Sequence, residues 1–272
     1  MSAPDMSVVV ISHNHGRFLE TCLGSLAPER HALALEVWLV DNVCSDATLA
    51  VAARFPWVRV LRNQRRLGFA ANNNQALRLS TGRQMLLLNP DTEVPAGALD
   101  RLAAGLDAHP EAGLCGPQLR FPDGVIQPSP RRFPTPGSVL ARRTPLRRWL
   151  WRSALNARHL MQDQDLTQTQ TVDWLLGACL LVPRRFLQTV GLLDEGYFLY
   201  VEDIDWAYRA RQAGWQVLYY PEARIVHHHL ALSDRRLFSR VSWWHTQSMW
   251  RYYRKHLAPA WLRLRVEPER LP

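Results

Sequence analysis

Residues Leu86–Val94 read LLLNPDTEV, and the reading of this stretch decides the fold. A short continuous apolar run bounded by turn residues suits a strand buried on both faces. Asn89-Pro90 cannot extend it, because proline has no N–H to give a ladder and its ring fixes φ. The strand therefore stops with the Asp91 carboxylate held just past its end. In open α/β sheets, ligands collect beyond the carboxyl ends of strands. A carboxylate fixed there suits Mg²⁺ or Mn²⁺, which share their remaining positions with water and phosphate oxygens. An Asx-type turn closing a strand explains the same residues without a ligand.

Working outward, Ser7–Ser12 (SVVVIS), Glu36–Val40 (EVWLV), Val58–Leu61 and Met85–Leu88 read as strands. Helical patterns fall between and after them, at about Arg17–Leu26, Asp46–Phe55, Phe69–Ser80 and Ala96–Ala108. This alternation predicts an α/β fold, a Rossmann-like, mostly parallel sheet with helices on both faces. The polar clusters Ser12-His13-Asn14, Asp41-Asn42 and Asn89-Pro90-Asp91 all fall at expected strand ends.

The chain has 272 residues, 47% of them apolar, enough for a sizeable core and too apolar for disorder. Lys+Arg number 33 against 24 Asp+Glu, a formal net charge of +9, and the only lysine is Lys255. Arginine's planar fork suits phosphates; a base-composition bias explains the preference equally. Cys22, Cys44, Cys115 and Cys179 are far apart with no CxxC pair, which fits neither a zinc site nor a disulfide framework and points to a reducing compartment. MSAPDM runs straight into a strand, leaving no room for a signal peptide. The longest strongly apolar run, Trp174–Val182, is about half a membrane span. A cytoplasmic location is expected.

Between Asp123 and Asp163 there is no acid, but arginines and prolines abound. An irregular excursion over about 124–162 with one short helix is expected. Regular structure resumes at Val172–Val182, with helices from about Arg184 and from Glu202 to about Ala213, and a strand at Trp215–Tyr220. From Ser233 the chain turns helical, basic and aromatic. The expected domains are a catalytic unit over 1–232 and a helical tail over 233–272.

Several constellations could carry chemistry. Asp41 at a strand end can accept hydrogen bonds from a nucleobase or ribose. Asp46 reads equally as a helix cap. In LGFAANNNQAL (Leu67–Leu77), Gly68 suits a tight turn, and three asparagines are costly inside a helix unless they face a ligand or bond locally. Glu202, Asp203 and Asp205 open a helix after an aromatic run. The helix dipole favours acids there, and Asp205 with Arg209 looks like an i,i+4 pair. Glu202-Asp203 suits deprotonation of a hydroxyl. His227, His228 and His229 leave a strand end, where one imidazole could join Asp91 on a metal.

Together, VVVISHNHGRFLETCLGSL, VWLVDNVCSD, LGFAANNNQAL, LLLNPDTEV, the stretch Trp174–Trp215 and ARIVHHH cover most of residues 7–230. In this order they resemble the inverting glycosyltransferases of family 2, which have the GT-A fold, and within them the rhamnosyltransferase-like enzymes of bacterial surface-polysaccharide assembly. The resemblance implies a nucleotide-sugar half over about 1–120 and an acceptor half over about 170–232. It implies that Asp41 reads the donor base in a pocket lined by Ser12, Gly68 and Asn74. Asn89-Pro90-Asp91 would occupy the DxD position, with Mg²⁺ or Mn²⁺ on Asp91 and His227. Asp203 would be the general base, with Glu202, Trp174 and Gly177 on the acceptor side. The sequence departs from the family pattern at Asn89, where an acid is usual, at Cys44, where serine is common, and at His13, where an aromatic residue or threonine is usual.

The resemblance also implies a donor, dTDP-L-rhamnose ahead of UDP-sugars, and a glycan or lipid-linked acceptor. Two other readings are a sugar-nucleotide pyrophosphorylase and a nucleic-acid-binding protein. The first lacks a glycine- and arginine-rich loop after strand one. The second expects basic residues on one face, whereas here they gather in the excursion and tail, so no nucleic-acid partner is expected. The aromatic, acid-free tail from Arg235 to Val266 reads as a peripheral contact with the cytoplasmic face of the inner membrane or as packing on the catalytic unit.

Overall fold

A computed structural model describes residues 3–135, 154–228 and 240–272. In the first part β1 (Met6–Ser12), α1 (Gly16–Leu26), β2 (Leu35–Asp41), α2 (Thr48–Ala52), β3 (Val58–Arg62), α3 (Phe69–Leu79) and β4 (Gln84–Leu88) alternate. Then come β5 (Thr92–Glu93), α4 (Ala98–Ala108), β6 (Ala112–Arg120), β7 (Ile126–Gln127), β8 (Pro130–Arg131) and α5 (Ala154–His159). The last part holds β9 (Gln170–Val172), β10 (Trp174–Leu175), β11 (Cys179–Pro183), α6 (Arg184–Thr189), α7 (Glu202–Gln212) and β12 (Gln216–His227). The C-terminal α8 (Arg240–Tyr252) runs into a π-helical turn at Tyr253–Leu257.

The main sheet has the order β3-β2-β1-β4-β11-β6-β12-β5, with β7 on β6 and β9 on β12. Strands β3, β2, β1 and β4 are parallel, as the alternation predicts. Beyond them the sheet is mixed, because β11 runs antiparallel to both β4 and β6. The apolar run CLLVP carries no signal of direction. Alternate side chains of each strand face opposite ways, and two cores result. Val8, Val10, Leu39 and Leu86 face α1 and α4. Val9, Val40 and Leu87 face α3, α6 and α7, and Tyr252 of α8 joins this second core.

Three expectations need adjustment. The helix expected over Asp46–Phe55 shrinks to Thr48–Ala52, because before it the Asp46 side chain closes an Asx-type turn. It accepts from Thr48 N at 3.1 Å and from Gly16 N at 2.7 Å. The strand expected to end at Tyr220 continues to His227, with a register shift between Tyr220 and Arg224. The middle of the arginine-rich excursion, 136–153, lies outside the described residues; its flanks form β7, β8 and α5.

Candidate active site

The carboxyl ends of β1, β2 and β4 lie side by side because β1 pairs with both neighbours. Beyond β1 and β2 the chain turns through left-handed residues, Asn14 (φ 62°) and Val43 (φ 60°). Such a conformation strains a β-branched valine and persists only where its surroundings hold it. Asp41 is buried there. Its Oδ1 accepts from Cys44 N at 2.8 Å, and its Oδ2 lies 3.7 Å from Arg62 Nε. Ser12 is fully buried, its hydroxyl 3.0 Å from that of Thr48 and 3.6 Å from the Cys44 thiol. It braces the β2 turn rather than presenting a free hydroxyl to a pocket.

The asparagines also resolve differently. Asn74 is buried, donating to Leu193 O at 2.8 Å and accepting from Leu193 N at 3.1 Å. Asn72 donates to Gly68 O and Asn73 to Phe69 O. The asparagines bond inside the fold, Asn74 through both atoms of its amide. Gly68 is corrected in its reason. Its φ of −72° is ordinary, but a β-carbon there would lie 2.7 Å from the Phe198 backbone, and Phe69 N donates to Phe198 O at 2.8 Å. Sequence reasoning missed Asn42, whose amide grips Leu67 N and O at 2.9 and 3.0 Å and fixes the loop before Gly68. Only its place beside Asp41 hinted at this.

The second corner joins the NPD turn to the last strand. Asn89 N donates to Ala178 O at 2.9 Å and His228 N to Asp91 O at 2.9 Å. Asp91 Oδ1 and His227 Nε2 lie 3.4 Å apart, both residues buried. Burial would raise the Asp91 carboxyl, but the hydrogen bond and charge of His227 hold it below its ordinary value. His227 Nδ1 is 2.8 Å from Gln127 Oε1, a partner with no sequence signal. When His227 is neutral and donates through Nδ1 to Gln127, its Nε2 lone pair and the Asp91 carboxylate can together hold a cation. A carboxylate and an imidazole this close can occupy neighbouring positions on Mg²⁺ or Mn²⁺, so the donor set fits such an ion. No group of three His, Cys, Asp or Glu side chains suited to a metal occurs among the described residues. Asn89, two positions before Asp91, adds no charge.

The third corner is the start of α7. Tyr200 (φ 65°) and Val201 (φ 73°) are both left-handed, so the helix begins from a strained turn. Asp203 is half-buried, and its Oδ2 accepts from Gly177 N at 3.2 Å. Burial pushes its carboxyl up to about 6. Glu202 is buried with Oε2 unpartnered, and burial together with the Asp203 charge holds its carboxyl well above the usual range. Trp174 is a buried wall residue whose Nε1 donates to Arg132 O at 3.0 Å. The structure thus brings Gly177 to Asp203 and Asp91 to His227, while Ser12, Asn74 and Trp174 support from within.

The sequence signature of Glycosyl transferase family 2 matches residues 7–188. The chain belongs to glycosyltransferase family 2. It is 31% identical over 279 residues to the N-acetylglucosaminyl-diphospho-decaprenol L-rhamnosyltransferase of Mycobacterium tuberculosis, covering 90% of this chain and 88% of that protein. Rhamnosyltransferase WbbL of Escherichia coli K12 is 25% identical, with 90% and 91% covered. In fold it resembles the mannosyltransferase PcManGT of Pyrobaculum calidifontis, solved with GDP-Man and Mn²⁺, at TM-score 0.58 and 19% identity, covering 95% of this chain and 67% of that one. GalNAc-T7, solved with UDP, GalNAc and Mn²⁺, gives TM-score 0.60 at 19% identity, covering 83% and 44%. The enzyme is a glycosyltransferase of GT-A-like architecture.

Proposed function

We propose that the enzyme moves L-rhamnose from dTDP-L-rhamnose to a hydroxyl of a lipid-linked glycan in cell-surface polysaccharide synthesis, with inversion at the anomeric carbon. The observation that carries the chemistry is Asp203, a carboxylate raised by burial and aimed by the Gly177 amide. As general base it takes the acceptor's proton while that oxygen attacks the anomeric carbon. Glu202, whose carboxyl burial and the Asp203 charge hold well above the usual range, is suited to orient the acceptor by a hydrogen bond. Asp41 holds the base of the donor. Asp91 and His227 would hold Mg²⁺ or Mn²⁺, which supplies positive charge beside the departing diphosphate. Similarity to the rhamnosyltransferases supports the choice of sugar, and family membership favours transfer over pyrophosphorolysis. Hydrolysis of a nucleotide-sugar panel tests the donor: dTDP-L-rhamnose should be turned over fastest, and preference for another sugar overturns the assignment.

We further propose peripheral attachment to the cytoplasmic face of the inner membrane. Among the described residues no helix is long and apolar enough to cross one. On α8, Trp244 and Ser248 turn inward, while Trp243 and Trp250 are exposed along the other face, with Leu257 of the π-helical turn and Trp261 exposed beyond it. Tryptophans on an outward helix face suit headgroup depth, with Arg254, Arg263 and Arg265 nearby for lipid phosphates. Arg251 and Lys255 leave this set, since both pair with Asp194. Arg235, Arg236, Leu237 and Phe238 lie outside the described residues.

A further inference from the structure

The loop that delivers Asp203 is held from outside by the C-terminal helix, almost one contact per residue. The Arg251 guanidinium sits where a β-carbon on residue 196 would be, so Gly196 admits it, and it lies 5.5 Å from the Tyr197 ring centroid. Trp244 packs on Phe198 with centroids 4.5 Å apart. Ser248 Oγ donates to Leu199 O at 3.0 Å, and the His245 ring lies 5.4 Å from that of Tyr200. Tyr200 and Val201 are the two left-handed residues that set the start of α7.

A second grip lies one turn further on. Asp205, fully buried on the same first turn as Asp203, meets Arg209 Nε at 2.8 Å, Lys255 Nζ at 2.8 Å and His256 Nε2 at 2.7 Å. Tyr197 OH donates to the same carboxylate at 3.2 Å. Lys255 Nζ also reaches Asp194 Oδ2 at 2.9 Å, beside Arg251. Burial alone would raise the Asp205 carboxyl, yet His256, Arg209 and Lys255 hold it well below the ordinary range. Arg209 belongs to α7 itself, so Lys255 and His256 are what the tail adds. The same loop meets the donor side, since Phe198 lies against Gly68 and accepts from Phe69 N.

We infer that the C-terminal segment is a positioning element of the active site. Through Trp244, Ser248, Lys255 and His256 it holds a strained turn that would otherwise relax, and so fixes the Asp203 carboxylate on the acceptor hydroxyl. His256 touches no substrate in this account; it is a positioning residue acting through Asp205. A displacement of about 1 Å at a catalytic group can cost on the order of 10²-fold in rate, so loosening the grip should appear in turnover before donor binding.

The inference rests on Asp203 as the base, and the experiment separates the two. In the full chain, His256→Leu removes the donor to Asp205, whereas His256→Gln can keep an N–H near the Nε2 position. Turnover for transfer, KM for the nucleotide-sugar, calorimetric affinity for dTDP and melting temperature are measured for each, with Asp203→Asn alongside. His256→Leu should lose roughly 10- to 10²-fold in kcat, with donor KM and dTDP affinity within about twofold, and His256→Gln should recover most of the loss. If His256→Leu does not fold, Ser248→Ala should lower kcat alone. Wild-type turnover in the folded variant, parallel loss of kcat and dTDP affinity, or no recovery in His256→Gln would overturn the inference. An active Asp203→Asn would instead overturn the base assignment.

Discussion

Thr92 and His227 face each other across a short antiparallel ladder between β5 and β12. His227 is one of the two groups that matter, and Thr92 follows the other. Asp91 precedes Thr92, and the ladder places its carboxylate beside the His227 ring. A proline stop after β4 and the far end of β12 thus converge on one point.

That convergence predicts a divalent-metal requirement. Asp91→Ala should abolish transfer, and His227→Ala should weaken metal affinity by at least the ~10- to 100-fold that loss of an outer-shell partner costs. Titration of Mn²⁺ by calorimetry in each variant reads the effect independently of turnover. Full wild-type activity in excess EDTA would contradict it.

The acid limb of the pH profile should report Asp203. Burial raises its carboxyl from 3.8 to about 6, and only the ionised form accepts a proton. Turnover should therefore fall as pH drops through about 6. A limb near the ordinary carboxylate value of about 4 would count against a buried base. Stability runs the other way. Between 3.8 and about 6 the folded protein binds the proton more tightly than the unfolded chain, so rising pH in that window lowers stability. Asp203→Asn should accordingly melt higher than wild type at pH 8, with the gap narrowing at pH 5.

The outward tryptophans of α8 predict binding to anionic vesicles. Sedimentation with liposomes of rising anionic content should carry the enzyme into the pellet at low salt and release it at high salt, since each basic residue near such a surface contributes about 1 kcal/mol. Replacing Trp243 and Trp250 with serine should weaken this without lowering the melting temperature. Equal recovery in the supernatant with neutral and anionic vesicles would leave the helix as packing alone.

What the sequence made legible was local. Periodicity located the strands and helices of the first half, and Pro90 marked the end of β4. The Glu202-Asp203 pair stood out because acids follow an aromatic run. Long-range relations had no such signal. Gly68 is small because Phe198 passes over it, far along the chain. Asn74 looked like a ligand residue because nothing nearby disclosed its bond to Leu193. Asp205 read as one half of a helix pair, since Lys255 and His256 reach it only after the tail folds back. The direction of β11 was equally hidden, because a buried apolar run reads the same either way.

Whether Asp203 removes the acceptor's proton is read most directly from the transfer turnover of Asp203→Asn beside its affinity for the nucleotide. The exchange keeps the shape and removes the basic oxygen. Turnover should fall about 10²- to 10⁴-fold, the span of a positioned general base. Affinity for dTDP should stay as in wild type, and Glu202→Gln should lose less. A variant that keeps more than about a tenth of wild-type turnover, above what loss of a general base allows, would contradict the account.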